Sequence, residues 1–267
     1  RMIHQSAGWA LSQSILLEDG QLLGQKLQKH LKATSIDSMR EFSAKDIESA
    51  ASSIYRDAGF DPIVDANSLS STPLYAALQP STQTVDLLIG SNADEWKIYI
   101  EADDSVDKWL DANIDKNLHI DLKKALAGAS PTRQLDSLRT AVNYVCPSLA
   151  LASVTNGQIK QSWVYYFSRQ RKGKQAEEMG AYHGAELPYV FDTHDDWLPT
   201  GSEDRALTEK AMSYWFNFAL TGSPNSADTP YWPPYTAETA TVQQLDYPVR
   251  TISHPSQGLC KVFEESP

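Results

Sequence analysis

Val85-Asp86-Leu87-Leu88-Ile89-Gly90-Ser91-Asn92-Ala93-Asp94-Glu95 is the stretch on which the reading of this chain turns. Its apolar run is too short for a buried helix and is bounded by turn-forming residues, the pattern of a strand covered on both faces. The spacing predicts a strand over 85–89, closed by Gly90-Ser91-Asn92, that passes directly into two carboxylates. Open α/β sheets place their functional loops at that end of a strand, so Asp94 and Glu95 are candidate site residues. An arbitrary Asp-Glu pair is more often only a solvated acidic turn.

Working outward, Ser162 to Ser168, with Trp163-Val164-Tyr165-Tyr166-Phe167 at its centre, reads as a second buried strand, and Arg1 to Ser6 as a short strand ended by Ala7-Gly8. Helical patterns fill most of the rest. Leu16, Leu23, Leu27 and Leu31 recur at helical spacing on a polar background, and Ser43-Ala44-Lys45-Asp46 is a variant capping box opening a helix with Ile47, Ala50, Ala51 and Ile54. Asp61-Pro62 breaks that helix, and 66–83 reads as an irregular connection. Helices are expected over 103–126, from Ser130-Pro131 to an interruption at Cys146-Pro147, again through Leu149 to Val154, and from Leu207 to a stop at Gly222 and Pro224. Strands separated by long helical excursions predict an α/β fold, and its remaining strands are expected upstream of Arg1. The opening at Arg1, without a leader or an initiator Met, also suggests a missing upstream segment.

The 267 residues are 41% apolar, enough for a real core. Lys and Arg number 23 against 34 Asp and Glu, and the net charge of −11 argues against a nucleic-acid partner or an anionic membrane surface. No apolar run reaches the roughly 18 residues of a membrane helix. The 7 Trp and 12 Tyr suit an aromatic-lined cleft or ordinary packing equally. No metal-ligand spacing and no cofactor motif is present.

His183 stands between Gly180 and Gly184, with small neighbours that leave its ring accessible, as a general base requires; a structural histidine is the plainer alternative. Ser6 in His4-Gln5-Ser6-Ala7-Gly8 superficially resembles a G-x-S-x-G nucleophile elbow, but His4 replaces the first glycine of a turn that needs a small residue there. No other such motif exists in the chain, nor a glycine cluster of the kind that supplies oxyanion-hole amides. Cys146 and Cys260 are far from any metal or redox spacing, and on counting alone read as two buried thiols.

Taken in order, these segments resemble the C-terminal half of a type B carboxylesterase, the cholinesterase and carboxylesterase branch of the α/β-hydrolase fold. The resemblance covers nearly the whole chain. It is carried by Arg1-Met2-Ile3-His4-Gln5-Ser6, Phe60-Asp61-Pro62-Ile63-Val64-Asp65, Ile89-Gly90-Ser91-Asn92-Ala93-Asp94-Glu95, His183-Gly184-Ala185-Glu186-Leu187-Pro188-Tyr189-Val190-Phe191, and Tyr214-Trp215-Phe216-Asn217-Phe218-Ala219-Leu220-Thr221-Gly222-Ser223-Pro224-Asn225 with Trp232-Pro233-Pro234-Tyr235. The resemblance implies that residues 1–267 are the C-terminal portion of one α/β-hydrolase domain, with long helical insertions between its strands.

By the same resemblance, Glu95 is the acid that orients His183, and His183 is the base for a serine that lies upstream. The partners implied are a small ester substrate and the N-terminal half of the same protein, with no cofactor. The resemblance also implies a Cys146–Cys260 disulfide and therefore a secreted or periplasmic protein. Trp96 departs from the family, which usually has glycine after the acid; Trp96 and Trp9 are candidates to line the substrate pocket, although a core role suits Trp9 better. A binding protein that keeps the fold without catalysis is the alternative, against which the retention of both Glu95 and His183 counts.

Overall fold

A computed structural model describes residues 1–12, 14–54, 61–79, 85–155 and 160–264, with Trp9, Ser12, Thr155 and Glu264 described by backbone alone. Phe60 and the end of the 66–83 connection lie outside these residues. The chain divides into two compact units, one of Arg1–Trp9 with Leu78–Pro267 and one of Ala10–Ala77.

In the larger unit, β1 (Met2–Gln5) is followed by α1 (Gly8–Ser12), which runs on into the smaller unit. The smaller unit comprises β2 (Ile15–Leu16), α2 (Leu17–His30), α3 (Ile36–Arg40), α4 (Ala44–Ile54), β3 (Ile63–Val64) and α5 (Pro73–Ala77). Its two strands pair in parallel. Helix α2 forms where the leucine spacing predicts it, but none of its residues is buried, and Leu16 belongs to β2. The Ser43 hydroxyl does cap α4, accepting the Asp46 N–H, and Ala50 and Ala51 are buried. The connection after β3 is tightened by Asp65, whose carboxylate accepts the N–H groups of Asn67, Ser68 and Leu69.

The larger unit continues with β4 (Leu87–Asn92), α6 (Val106–Asn113), α7 (His119–Ala125), α8 (Pro131–Thr140), a π-helical turn (Ala141–Val145), α9 (Cys146–Thr155), β5 (Ser162–Phe167), α10 (Lys174–Met179), α11 (Leu187–Phe191), α12 (Ser202–Thr221), β6 (Thr241–Leu245), β7 (Arg250–Ser253) and α13 (Gln257–Glu264). Its sheet has the order β1-β4-β5-β6-β7, parallel except for β7. Two of these strands, β6 and β7, follow rather than precede the pair read from sequence, so at least part of the sheet is completed downstream. The period of β6 is hidden by buried polar residues: Gln243 donates to the Tyr214 hydroxyl and accepts from Thr251, and Gln244 bonds Ser168 and Arg250.

Two further expectations are corrected. Gly90-Ser91-Asn92 does not close β4; it is the second half of the strand, in register with Tyr165-Tyr166-Phe167. Gly90 is there for close approach rather than for a turn, because a Cβ would overlap the Tyr165 carbonyl and ring. Nor does Cys146-Pro147 break the helix. The π-helical turn carries the chain from α8 into α9 without a break, the Cys146 N–H donating to the Ala141 carbonyl, and the helix continues through a proline that has no N–H to give.

Strands β4 and β5 are wholly buried and α12 lies on them. Leu88, Trp163, Tyr165 and Phe167 pack with Leu207, Ala211, Tyr214, Trp215 and Phe218 of that helix and with Trp232. Helix α12 ends where Gly222 turns left-handed, as its sequence predicts. A second core joins Leu110, Leu122, Leu126 and Leu138 to Leu259 of α13. Beside it the Cys146–Cys260 disulfide is formed, with an S–S distance of 2.05 Å. The thiol reading from counting is thereby replaced by the bridge.

Candidate active site

Parallel strands β1, β4 and β5 deliver their C-terminal ends to one edge of the sheet, and the candidate residues gather there. From Asn92, the last residue of β4, the chain folds back so that the Asn92 N–H donates to Glu95 Oε1 at 2.7 Å. Glu95 is 1% exposed. Its other oxygen, Oε2, lies 2.6 Å from His183 Nδ1, although the two residues are 88 apart in sequence. A carboxylate can only accept, so Nδ1 carries the proton and Nε2 of the neutral ring is left with its lone pair. The imidazole is 41% exposed, against a fully enclosed Glu95 side chain. The Glu95 hydrogen bond raises the His183 pKa above its ordinary value, and partial burial works against it.

The loop carrying His183 is held on both sides. Asp94 accepts the Ala181 N–H at 2.8 Å and gives its own N–H to the Ala181 carbonyl, and an isolated parallel bridge joins Asp94 to Tyr182. Gly180 precedes this contact with φ of +67°, and a Cβ there would overlap the Asp94 carboxylate. After His183, the buried Glu186 accepts from Asn92 Nδ2 at 2.6 Å and from Gln5 Nε2 at 3.2 Å, while Asn92 Nδ2 also donates to the Tyr182 carbonyl. Burial pushes the Glu186 pKa up.

Tyr144 comes from the π-helical turn and places its ring 5.4 Å from the imidazole, centroid to centroid. Burial, and then the Glu95 carboxylate, push its phenol pKa up to about 12, so it is a neutral hydroxyl at any working pH. Trp96 is the next ring out, 6.3 Å from Tyr144, with the Arg139 guanidinium 3.9 Å above it. The structure therefore brings Glu95 and His183 together and sets Trp96 behind Tyr144, one ring removed from the imidazole. The side chain of Trp9 lies outside the described residues. Ser6 is buried at the end of β1 with φ of +45°, and no hydrogen bond links it to His183.

Sequence reasoning does not single out Tyr144 or Glu186. Glu186 sits in the quoted histidine loop, and its isolated charge among apolar neighbours was the available signal; Tyr144 offers none, because its role comes from the π-helical turn. Among the described residues no group of three or more His, Cys, Asp or Glu is placed to hold a metal ion, and no helix is long and apolar enough to cross a membrane.

The carboxylesterase family model matches residues 123–263. The para-nitrobenzyl esterase of Bacillus subtilis (strain 168) is 29% identical over 215 residues, which cover 76% of this chain and 43% of that protein. Human bile salt-activated lipase is 26% identical over 212 residues, covering 67% and 28%. Among solved structures, a PNB esterase matches with a TM-score of 0.80 at 23% identity, over 97% of this chain and 56% of that one. The Geobacillus stearothermophilus carboxylesterase at pH 6.2 matches with a TM-score of 0.79 at 21% identity, over 98% and 57%. These structures share the α/β-hydrolase fold expected from the sequence. The chain spans about half the length of the esterases it matches.

Proposed function

The chain belongs to the carboxylesterase family, and from that premise we propose that it is the acid and base portion of a carboxylic-ester hydrolase acting through a Ser-His-Glu triad. The observation that carries the reading is the 2.6 Å contact between His183 Nδ1 and a buried Glu95, on an imidazole whose side chain stays 41% exposed. In the proposed cycle Nε2 takes the proton of a serine hydroxyl as its oxygen bonds the ester carbonyl carbon. It then returns that proton to the departing alkoxide, and repeats both steps with water to release the acid. Glu95 stabilises the imidazolium through its hydrogen bond to Nδ1.

On this reading residues 1–267 are the C-terminal portion of one α/β-hydrolase domain, and the serine and the oxyanion-hole amides come from the part of the family's length that these residues do not span. The substrate is a small carboxylic ester, and Trp96 and Trp9 belong to the surroundings of its pocket. The disulfide supports an oxidising, secreted or periplasmic location. The test is His183→Ala in the complete protein, measured with p-nitrophenyl esters and a fluorophosphonate probe. Turnover is expected to fall by at least about 1,000-fold while near-ultraviolet dichroism is unchanged; turnover at the wild-type rate rejects the triad.

A further inference from the structure

Helix α8 reaches the acid loop at three points. Asp136, which is completely buried, accepts the Trp96 N–H on Oδ1 at 3.1 Å and places Oδ2 3.2 Å from the Arg133 guanidinium. The same Arg133 nitrogen bonds the Asp94 carboxylate. One turn later Arg139 covers the Trp96 indole. The residues on either side of Glu95 are therefore fastened to one helix, Asp94 through its side chain and Trp96 through its main chain.

Burying Asp136 is costly. Desolvation pushes its pKa up, against the opposing pull of Arg133, the Trp96 N–H and the Thr140 hydroxyl. A buried ion pair is a poor source of net stability, whereas outer hydrogen-bond partners commonly fix how a functional side chain is presented. The Glu95 carboxylate is already anchored at Oε1 by Asn92, so the backbone position at 94–96 decides where Oε2 falls.

We propose that Asp136 is a positioning residue for the active-site acid: through the Trp96 N–H and the Arg133 bridge to Asp94, it sets where Glu95 presents Oε2 to His183. This rests on the reading of Glu95 and His183 as the acid–base pair.

The experiment follows the imidazole of His183 by nitrogen-15 NMR through a pH titration of the complete protein, together with the downfield Nδ1 proton, with His183→Asn for assignment. Glu95→Gln gives the reference by lowering the His183 pKa. Asp136→Ala is expected to produce at least half of that shift and to broaden or lose the Nδ1 proton signal. Asp136→Asn, which keeps an oxygen for the Trp96 N–H, is expected to recover part of it. The other groups facing the imidazole, Glu186 and Tyr144, are present in every variant.

A folded Asp136→Ala variant with a wild-type His183 titration overturns the proposal, since a merely structural aspartate lowers the melting temperature without moving that histidine. If Asp136→Ala does not fold, Arg133→Met, at a side chain 43% exposed, decides instead: a shift in the same direction is expected, and an unmoved His183 overturns the positioning role. An unmoved His183 in Glu95→Gln is a different failure, because it removes the acid–base pair itself and the positioning role along with it.

Discussion

Replacing both cysteines, Cys146→Ala with Cys260→Ala, opens a loop whose ends are 114 residues apart and which contains α9, β5, α10 to α12, β6 and β7. In the chain-entropy account a loop of that length restricts the unfolded ensemble by about 4 to 5 kcal/mol. The native side of the comparison changes little, because Leu259 keeps α13 seated against Leu110, Leu122 and Leu138. The expected loss is therefore most of that figure. Equilibrium urea unfolding followed by tryptophan fluorescence reads it, with the buried Trp163 and Trp232 reporting on the larger unit. For a slope of about 2 kcal/mol per molar, the midpoint should fall by about 2 M with the slope unchanged. The denatured, unreduced wild-type protein should give no titratable thiol. A midpoint drop below about 0.5 M would refute the loop-closure reasoning, and two free thiols would remove its premise.

The triad variant and the α8 variants described above stand with two further predictions. Gly90→Ala forces a methyl group into the Tyr165 carbonyl and ring at the middle of the β4–β5 pairing, and should cost about 1 to 3 kcal/mol or more by the same unfolding assay. The pH prediction follows from the direction of the His183 shift. Its folded pKa is raised above the unfolded value of about 6.5, so the stability it contributes is complete below that value and disappears as pH rises through the folded pKa. The stability difference between wild type and Glu95→Gln should accordingly be larger at about pH 5.5 than at about pH 9, and a difference that grows with pH would contradict the pairing.

The parts of this fold that were legible are those where one physical demand dominates. Leu87-Leu88-Ile89 and Trp163 to Phe167 announce themselves because a strand covered on both faces must be apolar throughout. Strand β6 is buried from Val242 to Leu245, yet its Gln243 and Gln244 find partners on Tyr214, Thr251, Ser168 and Arg250, which no local pattern reveals. Gly90 shows the same limit. A glycine before Ser-Asn reads as a turn from local chemistry, and only the neighbouring Tyr165 shows that it serves close packing. The acid and base were named from the loops that carry them, but α8 was legible only as a helix. Nothing in Pro131 to Thr140 signals that Arg133 and Asp136 grip the residues flanking Glu95.

Asn92 shows why that region is polar at a depth where apolar packing would be cheaper. Its main-chain N–H fixes Glu95, and its side-chain amide donates both to the Tyr182 carbonyl, before His183, and to Glu186, after it. The histidine loop has left-handed glycines at 180 and 184, a backbone that bends easily and that hydrophobic contact alone would leave free to choose among orientations. Directional bonds from Asn92 and Asp94 remove that freedom at both ends of the loop, and Asp94 and Trp96 are held in turn by α8. The enclosed carboxylates of Glu95, Glu186 and Asp136 thus share one arrangement, in which each accepts from at least two donors and none is left unpaired. Such a network contributes little net stability, and its worth lies in giving the imidazole one position from which Nε2 can meet a hydroxyl.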